Sequence, residues 1–192
     1  MGRPRSFDAD VVLDRAVETF RSKGYDGTSV EDLEKATGLR RASLYGAYGD
    51  KRALYLAALR RYDATRVIGM LAELNEARSG RAALERFFGI VLEEAATDPC
   101  GCLMASAASE RAAHDGGVAR CVGDNRRRIE GAIAASILRG RADGSVKAGG
   151  DARTAARFLF AAVLGIRALA KAGCERAELK GVARTALGAV LD

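Results

Sequence analysis

Residues 28–54 read Thr28-Ser29-Val30-Glu31-Asp32-Leu33-Glu34-Lys35-Ala36-Thr37-Gly38-Leu39-Arg40-Arg41-Ala42-Ser43-Leu44-Tyr45-Gly46-Ala47-Tyr48-Gly49-Asp50-Lys51-Arg52-Ala53-Leu54. Thr28 stands three residues before Glu31. That is capping-box spacing, and it predicts a short helix over about 29–36 with Val30, Leu33 and Ala36 inward. Thr37-Gly38-Leu39 reads as a tight turn. A second short helix is expected over about 40–46, ended by Gly46 and Gly49, after which Asp50 caps a long helix from Lys51 to about residue 75. Upstream, Val12, Leu13, Ala16, Val17 and Phe20 recur at helical period over about 9–23, between Asp8 as a cap and Gly24 as a stop. A supporting helix followed by two short helices across a glycine-containing turn is the helix-turn-helix pattern.

Charge sharpens that reading. The 192 residues hold 31 Lys and Arg against 25 Asp and Glu, a net of +6 with His neutral. An arginine-rich composition produces such a total without any polyanionic partner, so position matters more than sum. Between Leu39 and Arg61 the basic residues are Arg40, Arg41, Lys51, Arg52, Arg60 and Arg61, against Asp50 alone, a local net of +5. Arg3 and Arg5 add a basic arm ahead of the first helix. Cations gathered at one turn-helix junction suit a surface that grips phosphates.

The chain resembles the TetR family of bacterial transcriptional regulators. The likeness lies in Lys23-Gly24-Tyr25, Thr28-Ser29-Val30-Glu31-Asp32-Leu33, Ala36-Thr37-Gly38-Leu39, Ser43-Leu44-Tyr45 and Tyr48-Gly49-Asp50-Lys51-Arg52-Ala53-Leu54, and runs through residues 7–55. It implies an all-α homodimer of about nine helices. An N-terminal three-helix DNA-binding domain (1–50, with its basic arm) would sit on a larger helical effector-binding and dimerisation domain (51–192). Two helices near the C-terminus would pair with their mates as a four-helix bundle, and a small-molecule effector would release the operator. Two positions depart from the family pattern. Arg40 stands where a small polar cap is usual, which puts a cation at the positive end of a helix. Arg52 stands where an acid is more frequent, which removes any ion pair that acid would make.

The expected DNA contacts are Arg3, Arg5, Thr28, Arg40, Arg41, Ser43, Tyr45, Tyr48 and Lys51. Arg41 suits a bidentate contact with guanine O6 and N7. Tyr45 and Lys51 match the motif positions for phosphate contacts, and Ser43 offers a hydroxyl. Thr28 has its capping role as an alternative, and Tyr48 a supporting one against the first helix. Gly2-Arg3-Pro4-Arg5 resembles a minor-groove hook.

Beyond residue 66 the texture stays helical. Helices are expected over about 81–97, from Cys100–Met104 to a stop at Gly116-Gly117, and over about 118–140, 151–172 and 175–190. The last two carry two apolar faces rich in Ala and Gly, so a homodimer through residues 151–190 is expected. Phe87, Phe88, Leu103, Met104 and Phe158 are candidate walls of an effector pocket, with Glu110 and His114 as its polar groups. Cys100-Gly101-Cys102 opens a helix, where a thiolate is favoured, so an alternative is a repressor that senses oxidants or electrophiles through Cys102, with Cys100 beside it. A remote alternative is a thiol-dependent enzyme. No nucleotide loop, Cys-x-x-Cys, Ser-His-Asp set or frame of paired acids supports catalysis. No metal site or cofactor is expected, because His114 is the single histidine and lies away from the cysteines. The longest apolar runs are too short to span a membrane. The opening residues hold no apolar leader segment, so a cytoplasmic chain with free thiols is expected.

Overall fold

The computed structural model describes residues 7–98 and 100–192. Those residues form helices joined by turns, with no strand among them. In chain order they are α1 (Ala9–Lys23), α2 (Val30–Thr37), α3 (Arg41–Tyr48), α4 (Lys51–Tyr62), α5 (Ile68–Glu76), α6 (Gly80–Thr97), α7 (Leu103–Glu110), α8 (Gly116–Ala142), α9 (Ala152–Lys171) and α10 (Arg176–Leu191). A π-helical turn, Asp63–Val67, carries α4 into α5. The stretch 51–76 is therefore the single long helical segment expected from the sequence, interrupted by a widened turn.

The chain packs as two compact units. Of the described residues, one unit holds 7–65 and 102–122, and the other holds 66–98, 100–101 and 123–192. In the first, α1 packs on α4 and α2, and α7 packs on α1 and α4. Its core is built from Val12, Ala16 and Phe20 of α1, Leu33 of α2, Leu44 of α3, Leu54, Tyr55 and Leu59 of α4, and Leu103 and Ala107 of α7. The Phe20 and Tyr55 rings meet edge to face at 4.8 Å, and Tyr25 closes on Tyr55 at 4.8 Å. Leu44 is α3's fully buried residue. Its truncation to Ala is expected to cost about 2–5 kcal/mol.

In the second unit α9 packs on α10 and α6, and α10 packs on α6. Gly80 and Gly140 show why small residues are required there. A Cβ on Gly80 would lie 2.2 Å from the Gly140 backbone nitrogen, so α6 and the end of α8 touch backbone to backbone. This contact also explains why α8 runs through Gly140 to Ala142, past the stop that the glycine suggested.

Three local expectations are corrected. The cap of α2 is Ser29, whose side chain accepts from Asp32 N–H while Asp32 accepts from Ser29 N–H. Thr28 instead turns inward and donates to Gly24 O at 2.6 Å. Gly46 lies inside α3, which ends at Gly49. Gly116 and Gly117 begin α8, because Asp115 accepts from Gly117 and Val118 N–H and so caps that helix.

Candidate nucleic-acid interface

The turn-helix junction is built from capped helix ends. Asp8 accepts from Asp10 and Val11 N–H and starts α1. Gly24, at φ +73°, ends it. A side chain there would press to 2.8 Å from the Glu110 carboxylate, so glycine answers both the left-handed backbone and the close approach. Lys23 donates to Asp32 at 2.5 Å, and this bond holds the Asp32 carboxyl well below the usual carboxylate range. Gly38 adopts the left-handed conformation that turns α2 toward α3.

The start of α3 resolves the problem posed by Arg40. That residue occupies the cap position and offers no side-chain cap. The missing acceptor comes from Glu34 of α2, whose carboxylate accepts from Arg41 N–H at 2.6 Å. A carboxylate seven residues upstream thus satisfies an orphan donor and supplies negative charge at the positive helix end. Nothing in the sequence pattern marks Glu34 for this role.

On α3, Arg41, Ala42, Ser43 and Gly46 are exposed around the buried Leu44, and Tyr45 is half-buried. The Arg41 guanidinium lies 5.4 Å from the Tyr45 ring centroid, an i, i+4 pair on one face. Tyr48 is half-buried, and its hydroxyl reaches Ala9 O at 3.4 Å, tying the end of α3 to the start of α1. Lys51, in the first turn of α4, holds its ammonium 4.5 Å from the Tyr25 ring centroid, beside the Asp50 cap. Thr28 is 1% exposed, with its hydroxyl committed to Gly24 O, so its side chain offers no surface to a partner. Arg3 and Arg5 lie outside the described residues.

The six basic residues of 39–61 divide into two groups. Arg52 forms a bidentate pair with Asp115, at 2.5 and 2.8 Å, and Asp115 is buried. The guanidinium bond, reinforced by Val118 and Gly117 N–H, holds the Asp115 carboxyl well below its ordinary value. Arg61 is bidentate on Asp14, at 2.7 and 2.9 Å, and meets Asp10 at 3.0 Å. Among the described residues Arg40, Arg41, Lys51 and Arg60 make no ion pair. The cations available to an outside anion are thus fewer than the count along the chain, and they cluster at both ends of α3 and on α4.

The segment 102–122 completes this unit in a way the sequence did not signal. Glu110 accepts from Tyr25 N–H at 3.0 Å, and the Arg111 guanidinium lies 4.6 Å from the Tyr25 ring centroid. With Arg52–Asp115 these contacts pin α7 and the start of α8 to the helix-turn-helix. Each joins residues more than sixty positions apart.

The candidate pocket residues are distributed over both compact units. Phe87 and Phe88 are buried in the second unit, edge to face at 5.9 Å. Leu103 and Met104 are buried in the first unit, Glu110 carries the Tyr25 bond, and His114 is exposed. Phe158 is 49% exposed on α9. Cys100 falls in the second unit and Cys102, the cap residue of α7, in the first; all four cysteines are free and half-buried. Among the described residues no cluster of three or more His, Cys, Asp or Glu could hold a metal ion, and no helix is long and apolar enough to cross a membrane.

Comparison with known proteins bears on this arrangement. Residues 12–58 match the model of the family described as bacterial regulatory proteins, tetR family. Residues 80–186 match that described as tetracyclin repressor-like, C-terminal domain. The HTH-type transcriptional regulator YezE of Bacillus subtilis is 32% identical over 94% of each chain. The HTH-type transcriptional repressor ComR of Escherichia coli is 29% identical over 97% of this chain and 90% of its own. Among solved structures, a cysteine mutant of the TetR family regulator CifR, complexed with double-strand operator DNA, superposes with a TM-score of 0.87. It is 31% identical and covers 97% of this chain and 99% of that one.

Proposed function

Because the chain belongs to the tetR family of DNA-binding transcriptional regulators, we propose that it is a repressor that binds a palindromic operator as a homodimer and leaves it when a small molecule binds. The observation that carries this reading is the exposed face of α3. Arg41, Ser43 and Tyr45 project around the buried Leu44, with Arg40 before them and Lys51 beyond. Arg41 reads a base edge, while Arg40, Tyr45 and Lys51 hold phosphates. Residues 1–50, together with Lys51 at the head of α4, carry the contacts to DNA; the rest of 51–192 carries effector and dimer.

Support for the partners comes from two sides. CifR is a relative of matching length described on operator DNA. Phe158 and Leu169 of α9 and Val182 of α10 are exposed apolar residues, a suitable surface for pairing through 151–190. Paired helix-turn-helix units require half-sites about 34–36 Å apart. The assignment to a regulator rather than an enzyme, and to the cytoplasm, follows from the same reading.

A gel shift of the full chain on the DNA upstream of its own gene tests it. A discrete complex is expected at low salt. Its absence on every such fragment defeats the reading.

A second reading makes the trigger covalent. Cys102 occupies the N-cap position of α7, without a side-chain capping bond, and is the first residue of the first unit's second segment; the CifR relative was altered at its cysteines. If an oxidant releases DNA through this thiol, Cys102→Ser stays bound under oxidant; release equal to that of the parent chain removes the thiol from the mechanism.

A further inference from the structure

We propose that the groove between α8 and α9 is a binding site for a medium-chain aliphatic carboxylate. The groove encloses about 620 Å³, within the range of small-ligand sites. Arg126 and Arg127 of α8 and Arg153 and Arg157 of α9 line it, with Glu130 as the single acid among its walls. Glu130 is mostly buried and already shows what the site accepts. Its carboxylate takes two bonds from Arg126, at 2.9 and 3.1 Å, and faces Arg157 at 3.7 Å.

The remaining charge is unbalanced. Arg127 pairs with Asp124 at 2.5 Å on the exposed side of α8. Asp151 caps α9 through Thr154 N–H and Oγ1 at 2.8 and 2.7 Å and offsets the Arg153 charge in part, without forming a direct ion pair with it. Arg153 makes no ion pair among the described residues. It sits in the first turn of α9, where the helix end is already positive, with Arg157 one turn on. Cations at i and i+4 repel each other, and a cation at the helix start is unfavourable. An anion between Arg153 and Arg157 offsets both penalties.

The floor selects the rest of the ligand. Gly131, Ala134, Ala135 and Leu138 of α8 line it, and Leu138 is 56% exposed. A Cβ on Gly131 would meet nothing within 4 Å, so the space above it is open. From Glu130 to Leu138 the helix advances about 12 Å, the length of a medium aliphatic chain. A carboxylate head on the arginines with its tail along this strip satisfies both surfaces. The site makes no use of the helix-turn-helix, and its test is independent of DNA binding.

Calorimetric titration of the full chain with octanoate tests it, with octanol and inorganic phosphate as separate probes. Saturable binding of one octanoate per chain is expected, with octanol and phosphate each weaker by about tenfold or more. Arg153→Gln with Arg157→Gln, and separately Gly131→Leu, should each weaken octanoate about tenfold or more. Melting curves check that the variants fold, and the Gly131→Leu arm decides if the arginine pair does not. Unsaturable heat, octanol bound as tightly as octanoate, or octanoate unaffected by the folded variants overturns the site. Phosphate bound as tightly as octanoate overturns the carboxylate assignment.

Discussion

The starts of α3 and α9 both carry arginines where a helix end is positive, and they differ in everything around them. Before α3, Arg40 leaves the cap vacant and Glu34 fills it from the preceding helix. The neighbouring face is exposed and convex, with Tyr45 under Arg41. At α9, Asp151 caps in the ordinary way, and Arg153 and Arg157 stand over a groove with Gly131 and Leu138 in its floor. Arginines at or near the start of a helix would thus serve different anions on the two proposed readings. An open face would suit a string of phosphates read together with bases, whereas a hollow with an apolar floor would suit one charged head attached to a tail.

Salt separates the two regions most strongly. If α3 and its flanks neutralise six or more phosphates across a dimer, operator affinity falls by about a thousandfold or more between 50 and 200 mM salt. Octanoate, with one charge, should lose about tenfold or less over the same range in calorimetry. Equal salt slopes would collapse the distinction. The caps sharpen it further. Glu34→Ala removes the acceptor for Arg41 N–H and should lower stability by about 1 kcal/mol in denaturant titration while also weakening operator binding. Asp151→Ala should cost a similar amount, about 1 kcal/mol, and leave operator binding unchanged.

The smallest expected effect is on pH. The Asp115 carboxyl lies below its ordinary value in the folded chain because Arg52 hydrogen-bonds to its charged form. Its contribution is therefore complete above the ordinary carboxylate range and is lost as pH falls through the depressed value. Melting temperatures should decline less steeply in acid for Arg52→Ala than for the parent chain. An unchanged slope would mean that the pair does not stabilise the first unit.

Local signals made most of the first unit legible. Asp8, Gly24, Gly38 and Asp50 mark helix ends through their own neighbours, and α1 runs over the expected residues. Ser29 and Thr28 each offer a hydroxyl at the head of α2, so the sequence does not separate them; the burial of Thr28 decides it, and burial is a tertiary property. The Glu34 cap and the Arg52–Asp115 and Glu110–Tyr25 contacts were not legible, because no periodicity links an acid to a donor across a turn or across sixty residues. Arg52 stands where an acid would make an ion pair, and it makes one itself with Asp115. The candidate pocket walls fall in both compact units, a division that composition does not mark. In the second unit, the backbone contact of Gly80 with Gly140 explains a glycine that had read as a stop.

On the proposed reading, the exposed face of α3 meets DNA with Arg41 on a base and Lys51 on a phosphate. Fluorescence anisotropy of Arg41→Ala and Lys51→Ala against an operator and a panel of its single-base variants tests it most directly. Arg41→Ala should lose discrimination at one position of each half-site, by about 1–3 kcal/mol, while Lys51→Ala should weaken every sequence alike. Uniform weakening by both, or no change by either, would contradict it.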